Sequence, residues 1–174
     1  MIRKATLNDL IEILDIYAYA RSFMAENGNP NQWGNITPKK ELLIENINDG
    51  LLYVVEENGV LQGVFYFNIE NDPTYKIIKD GTWLSDEQYG VIHRIASAGK
   101  KKGVLKTCMD FCLEKNRHLR IDTHEDNTVM HHLLNKYGFS KSVLPYTARA
   151  VSCSSVPPLT PSPPRMVPSA SRSG

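Results

Sequence analysis

The stretch Ser97–Leu105, SAGKKKGVL, joins a predicted β-strand, Val91–Ala96, to a predicted helix, Gly103–Lys115. Its three lysines precede a helix start, although the unpaired N–H groups and the helix dipole already make that end of a helix positive. An anion bound at the helix N-terminus would reverse this disadvantage. A strand, a glycine-containing loop and a helix start, in this order, are typical of a phosphate site. The alternative is a basic loop that only faces solvent. Residues 98–103 are called the lysine loop below.

Local patterns on either side of the lysine loop predict the rest of the fold. Asn58-Gly59, between two apolar strands, predicts a tight β-hairpin. Thr6, followed by Asp9, predicts a helix start that resembles a capping box. The predicted order is strand, helix, helix, three strands, helix, strand, helix. It indicates an α/β (α+β) fold: a mixed, mainly antiparallel sheet flanked by helices. The strand–helix–strand unit around the lysines should form one parallel crossover near the C-terminal end.

The overall composition is that of an ordinary globular protein. The chain has 174 residues, 41% of them hydrophobic and 22% charged, with a formal net charge of +1. This charge gives no reason to expect nucleic acid as a partner, so an anion site must be local. With no run of eighteen apolar residues and no signal peptide, we expect a cytoplasmic protein without a membrane partner. Cys108 and Cys112, four residues apart, are expected to face the core.

The composition changes at Ser142. Residues 142–174 contain seven prolines and eight serines, and neither Lys, Asp nor Glu. We therefore expect a domain at 1–141 and a Pro/Ser-rich tail at 142–174. The tail is either a frame-shifted or vector-derived sequence or a natural disordered segment. In the first case, the sheet lacks its final strand, and the acceptor site is either incomplete or completed by a second copy of the chain in a homodimer.

Two motifs give residues 1–141 a resemblance to the GNAT superfamily of N-acetyltransferases. The acetyl-CoA signature of that family is Gln/Arg-x-x-Gly-x-Gly/Ala, between the fourth strand and the third helix. It falls on Lys100–Leu105, where Gly103 matches outright, Lys100 replaces Arg or Gln and Leu105 replaces a small residue. The second signature is an Asn after the fifth strand and a helix that closes in Gly-Phe. It reads DNTVMHHLLNKYGF here, with matches at Asn127, Leu133, Gly138 and Phe139.

The resemblance implies transfer of acetyl from acetyl-CoA to a primary amine of a small molecule or peptide, by direct attack in a ternary complex. In such proteins the pyrophosphate of coenzyme A lies on backbone N–H groups of this loop, and N–H groups of the fourth strand polarise the thioester carbonyl. For Asn127, a plain helix cap is the alternative to a contact with pantetheine. The implied cofactor-binding residues are Ile95, Ala96, Lys100, Lys101, Lys102, Gly103, Val104, Leu105 and Asn127.

Acetyl transfer needs a base for the amine and a proton for the departing thiolate. His93, on the strand beside the implied thioester position, is the first candidate base, with a structural role beside Arg94 as the alternative. His124, at the end of the next strand, is the reserve. The family commonly takes the proton from a Tyr where this chain has Leu134. Tyr137, three residues further on, could replace it; the alternatives are solvent as the donor and simple packing of Tyr137.

The acceptor pocket is expected between the first helix–loop–helix and the segment that precedes the fourth strand. Aromatic rings there could hold an amine by cation–π contacts, although each ring could equally belong to the core. The predicted substrate-binding residues are Trp33, Tyr75, Trp83 and Tyr89, with Asn29 and Gln32 as polar partners. The five histidines show no HExxH spacing, so no metal site is expected.

Two other functions stay open at this stage. A CoA-binding module with little catalysis is favoured by Leu134 at the position of the acid and by Leu105 in the loop. An RNA- or protein-binding domain that uses the lysine loop is the weaker alternative, because three lysines and three tail arginines make no broad basic face.

Overall fold

The computed structural model describes residues 1–69, 88–142 and 149–153, which form a seven-stranded sheet with helices on both faces. The strands are β1 Ile2–Lys4, β2 Leu52–Glu57, β3 Val60–Ile69, β4 Gly90–Ser97, β5 Leu119–Thr123, β6 Ser140–Ser142 and β7 Arg149–Cys153. The helices are α1 Leu10–Glu26, α2 Lys40–Asn48, α3 Val104–Lys115 and α4 Thr128–Lys136. None of these helices is both long enough and apolar enough to cross a membrane.

The strand order is β1-β2-β3-β4-β5-β7-β6. β4 and β5 are parallel and are connected through α3, whereas all other neighbours are antiparallel. The predicted fold class, a mixed and mainly antiparallel sheet with one parallel crossover, is therefore confirmed. The tight hairpin is confirmed as well. Asn58 and Gly59 have φ angles of +52° and +77°, which a two-residue turn of this kind requires, and Glu57 pairs with Val60 across the turn.

The predicted helix start at Thr6 and Asp9 is also present. The Asp9 carboxylate accepts hydrogen bonds from the Thr6 N–H at 2.7 Å and from the Thr6 hydroxyl at 2.8 Å. It also accepts two from the Arg3 guanidinium, both at 2.8 Å, which hold the pKa of Asp9 well below its ordinary value. A short 3-10 turn, Leu7–Asp9, then leads into α1. These contacts fix the direction in which α1 leaves the sheet.

Each face of the sheet has its own core. α1 and α2 cover one face, where Tyr17 and Leu43 are fully buried. α3 and α4 cover the other, where Cys108 and Cys112 are buried as expected. Burial raises the pKa of both thiols.

Two short strands lie beyond β5. β6 ends at residue 142, and β7 pairs antiparallel with both β5 and β6. β7 was not predicted from the sequence, because proline dominates the later part of the tail. RAVSC, however, contains no proline, so its backbone can join the ladder. The domain boundary at residue 141 and the origin of the tail stay predictions.

Candidate functional site

A cleft opens where β4 and β5 separate. The two strands pair only through Gly90–Ile92 and Leu119–Ile121. Beyond these residues β4 continues to Ser97 and β5 to Thr123, with no further pairing between them. The cleft has a volume of about 810 Å³ and is bounded by the C-terminal half of β4, α1, the lysine loop, the start of α3, and α4. One edge of β4 therefore offers its backbone hydrogen-bonding groups to the cleft.

A β-bulge lies in the same half of β4, in its pairing with β3. Val64 pairs with Ala96 and Tyr66 with His93, so a single residue of β3 stands opposite both Arg94 and Ile95. The φ angle of Arg94 is +51°, which is uncommon for a residue other than glycine. The hydroxyl of Tyr17 on α1 donates a hydrogen bond of 2.8 Å to the Arg94 carbonyl and so supports the bulge. A bulge takes its extra residue out of the regular ladder and re-aims the neighbouring side chains.

The start of α3 is built to stay open. Gly103 is the N-cap residue with a φ angle of +85°, and no side chain caps this helix. The first N–H groups of a helix have no partner within it. Gly63 of β3 allows this arrangement, because a Cβ there would lie 2.5 Å from the Cγ1 atom of Val104. The N-terminus of α3 is thus held directly against β3, with Gly103, Val104 and Leu105 lining the cleft.

Carboxylates of the chain itself neutralise two of the three loop lysines. The Lys101 ammonium lies 2.6 Å from a carboxylate oxygen of Glu57, and that of Lys100 lies 3.6 Å from one of Glu12. Lys102 makes no ion pair with any described residue, and it lines the cleft together with Lys101. Lys100 is outside the cleft lining. The sequence therefore places three cations at the helix start, and the structure leaves one of them fully available to an external anion.

His93 is in the cleft, and a carboxylate supports it. Its Nδ1 atom lies 3.7 Å from Oδ2 of Asp122 on β5, and its ring centroid is 5.7 Å from that of Tyr66. His124 is in the turn after β5, where its Nδ1 accepts the N–H of Asp126 at 3.3 Å. It is not among the residues that line the cleft. The structure therefore brings His93, and not the reserve His124, to the strand edge.

The two residues that flank α4 also reach the site. The ring of Tyr137 lines the cleft and also packs against the core beneath α3. Asn127 caps α4 through an acceptor bond of 3.0 Å from the Met130 N–H, and its Nδ2 donates to Gln32 Oε1 at 3.0 Å. The helix-cap role is present, and one amide hydrogen of Asn127 remains for a ligand.

The loop between α1 and α2 forms the opposite wall. Asn29 is 3% exposed, and its Nδ2 donates to Gln32 Oε1 at 2.6 Å, whereas its own carbonyl oxygen is buried without a hydrogen bond. Trp33 lies edge-on to Tyr17, at a centroid distance of 5.6 Å. All three predicted loop residues, Asn29, Gln32 and Trp33, line the cleft.

The remaining predicted aromatics are not part of this wall. Tyr89 is buried, and the guanidinium of Arg120 lies 3.5 Å from its ring centroid, so the structure does not bring Tyr89 to the cleft. Tyr75 and Trp83 lie outside the described residues. In the described ranges, no group of three or more His, Cys, Asp or Glu side chains is arranged to hold a metal ion.

Arg94, Asp122 and Thr123 are among the polar residues of the cleft that the sequence interpretation missed as site residues. Arg94 figured only as a packing neighbour of His93, and Asp122 and Thr123 only as strand residues. Thr123 is 2% exposed, and its hydroxyl has no hydrogen-bond partner. The available signal was that Asp122 and Thr123 end a strand parallel to β4, since parallel strands bring these ends together.

No family model matches the chain, and no curated protein matches it significantly. Solved structures do match. A GNAT-family acetyltransferase from Streptococcus agalactiae is 29% identical, with a TM-score of 0.79 over 90% of this chain and 96% of that one. A protein from Staphylococcus aureus is 26% identical, with a TM-score of 0.67 over 87% and 97%. The PaiA N-acetyltransferase from Thermoplasma acidophilum, in complex with coenzyme A, shares the fold at 15% identity, with a TM-score of 0.60 over 88% and 97%. These likenesses confirm the predicted resemblance.

Proposed function

We propose, since this chain is by its structure a member of the GNAT superfamily, that it transfers acetyl from acetyl-CoA to a primary amine of a small molecule or peptide. The observation that carries the proposal is that the uncapped N-terminus of α3 and the unpaired edge of β4 border the same cleft. The first suits a pyrophosphate, and the second suits the amide groups of a pantetheine arm. A volume of about 810 Å³ is within the range of small-molecule sites.

The chain's own groups would bind the cofactor as follows. The N–H groups of Gly103, Val104 and Leu105 donate to the pyrophosphate, and Lys102 contributes a charge that no carboxylate in the described chain already neutralises. The backbone of β4 from Ser97 towards the bulge would hold the pantetheine arm. The N–H groups around Ile95 and Ala96 would donate hydrogen bonds to the thioester carbonyl, and such donors favour the charge that develops during transfer. Coenzyme A in the Thermoplasma acidophilum structure supports this kind of cofactor.

His93 receives the amine proton, directly or through one water molecule, because it is the cleft histidine beside the bulge. Asp122, whose Oδ2 lies 3.7 Å from Nδ1 of His93, helps to orient the imidazole ring. Tyr137, which lines the cleft, gives a proton to the departing sulfur, while Leu134, which occupies the family's position for this group, is fully buried and has no proton to give.

That same observation favours a second candidate function, a CoA-binding module with little or no catalysis. Leu134 is 0% exposed and packs in the core, so the usual acid is replaced by a hydrophobic contact. In this case acetyl-CoA would bind to the start of α3 as described, but no amine would be acetylated at an appreciable rate.

One experiment separates the two functions. The wild type is titrated with acetyl-CoA by calorimetry and then assayed for thiol release with a panel of primary amines. Transfer that falls about 100-fold or more in His93→Ala, and is unchanged in His132→Ala on the exposed side of α4, supports the enzyme. Binding without transfer to any amine supports the module. Absence of binding contradicts both.

A further inference from the structure

Arg94 is one of the residues that line the cleft, and its guanidinium has no carboxylate partner among the described residues. Its Nη2 donates to Asn46 Oδ1 at 2.6 Å, and its Cζ lies 4.8 Å from the ring centroid of Tyr66. Both of these neighbours are neutral. Nε is buried and makes no hydrogen bond, and no described residue forms a salt bridge with Arg94. Nη1 also has no hydrogen-bond partner but, unlike Nε, is not shut off from solvent.

Without a bound ligand, this arrangement destabilises the folded chain. Removing a cation from water without an opposite charge is unfavourable, and here the burial lowers the pKa of Arg94. The same residue also has a φ angle of +51°, which adds backbone strain. Arg94 therefore combines a buried charge that has no opposite charge with a strained backbone, and it lies beside the proposed thioester position. This combination indicates that a ligand supplies the missing negative charge.

The position of Arg94 relative to the proposed thioester site indicates which ligand it binds. Arg94 directly precedes Ile95, whose N–H is placed at the thioester carbonyl in the proposed function. The contacts to Tyr66 and to Asn46 of α2 put its side chain on the sheet face covered by α1 and α2. That face belongs to the acceptor side of the cleft, with His93 and Trp33, and not to the start of α3.

We propose that Arg94 binds the carboxylate of the acceptor, so that the acceptor is a small amine that also carries a carboxylate, as amino acids do. This inference rests on the proposed function. Nη1 and the second hydrogen of Nη2 form a fork that matches the two oxygens of a carboxylate. Because Arg94 belongs to the bulge and directly precedes Ile95, the carboxylate and the attacking amine would be a few bonds apart in one molecule.

The test compares amino acids with the amines that lack only the carboxylate: lysine with 1,5-diaminopentane, histidine with histamine, and tryptophan with tryptamine. Each is titrated by calorimetry into the protein saturated with coenzyme A, and each is assayed for thiol release with acetyl-CoA. We expect at least one amino acid to bind tenfold or more tightly than its decarboxylated partner. Arg94→Gln should bring that ratio close to one, and Arg94→Lys should give an intermediate ratio, since it keeps the charge but not the fork.

The control variant is Arg117→Gln, which removes the same charge from an exposed residue outside the cleft and should keep the wild-type ratio. Acetyl-CoA affinity and Tm of each variant report whether it is folded. A purely structural Arg94 would lower Tm in Arg94→Gln and leave the ratio unchanged, which would overturn the inference. Equal binding of every pair by the wild type would also overturn it. Preferential binding without thiol release would support the carboxylate site and refute the proposed function instead.

Discussion

Substitution of Gly103 by Asp and, separately, by Asn isolates the effect of charge at the N-terminus of α3. A Cβ at this position would meet nothing within 4 Å, so both side chains fit. The φ angle of +85° strains any residue with a side chain, but Asn and Asp are among the residues that tolerate the left-handed region best. The two variants therefore share the backbone strain and differ in one negative charge, which makes Asn the control for Asp.

The magnitude follows from the separation of the charges. Two unit charges about 5 Å apart, at an effective dielectric constant near 20, repel by about 3 kcal/mol. Gly103 is exposed and Lys102 is its neighbour, so solvent and that cation screen part of the repulsion. About 1.5 to 2 kcal/mol should remain, which is roughly a 10- to 30-fold lower affinity for acetyl-CoA in Gly103→Asp than in Gly103→Asn.

Calorimetric titration with acetyl-CoA at about 0.1 M and about 1 M salt measures this difference, since the screening length falls from roughly 10 Å to roughly 3 Å between them. The gap between the two variants should narrow at high salt, while their Tm values stay close to each other. Equal affinities at low salt would refute the reasoning and remove the pyrophosphate from this helix start. If the difference in acetyl-CoA affinity between the two variants were the same at both salt concentrations, Asp would act through a structural change rather than through its charge.

Three further predictions follow from named contacts. Lys102→Gln should weaken acetyl-CoA binding more than Lys101→Gln does, by calorimetry, because Lys101 is already ion-paired at 2.6 Å; the opposite order would contradict this. Asp9→Asn should lower the free energy of unfolding at pH 7 by about 1 kcal/mol. Its pKa is lowered on folding, so the deficit relative to the wild type should shrink below pH of about 4, as urea unfolding at several pH values would show. Cys108 and Cys112 should resist iodoacetamide in the native protein at pH 8, by mass spectrometry, because burial raises the pKa of both; rapid labelling would show that α3 opens.

The fold was predictable from sequence wherever a feature is local. Asn58-Gly59 specifies its own turn, and Thr6 with Asp9 specifies its own helix start, because the atoms involved are at most three residues apart. β7 was missed because its pairing with β5 joins residues far apart in the chain, and the proline-rich composition around it suggested no strand. Local signals determine elements, whereas strand pairing depends on partners that composition does not reveal.

The candidate site divides in the same way. Its cofactor half depends on backbone groups at the start of α3 and along β4. A glycine between a strand and a helix, as at Gly103, indicates such backbone groups in the sequence. Its acceptor half depends on side chains such as Arg94 and Asp122, and their roles arise from a bulge and from strand divergence that no short motif encodes. The sequence also does not reveal that, of the three loop lysines, Lys101 forms an ion pair with Glu57, whereas Lys102 forms none with a described residue.

The cleft carries an excess of positive charge in both its cofactor half and its acceptor half. Among the described residues that line it, Arg94, Lys101, Lys102 and Lys136 are cations and Asp122 is the one carboxylate. The chain as a whole has a net charge of only +1, so this local excess is a property of the cleft rather than of the protein. Positive charge at both ends of a narrow cleft raises the local concentration of anionic ligands. An anionic cofactor at the start of α3 and an anionic acceptor at the bulge can then occupy it together, because each has a separate cation to neutralise it.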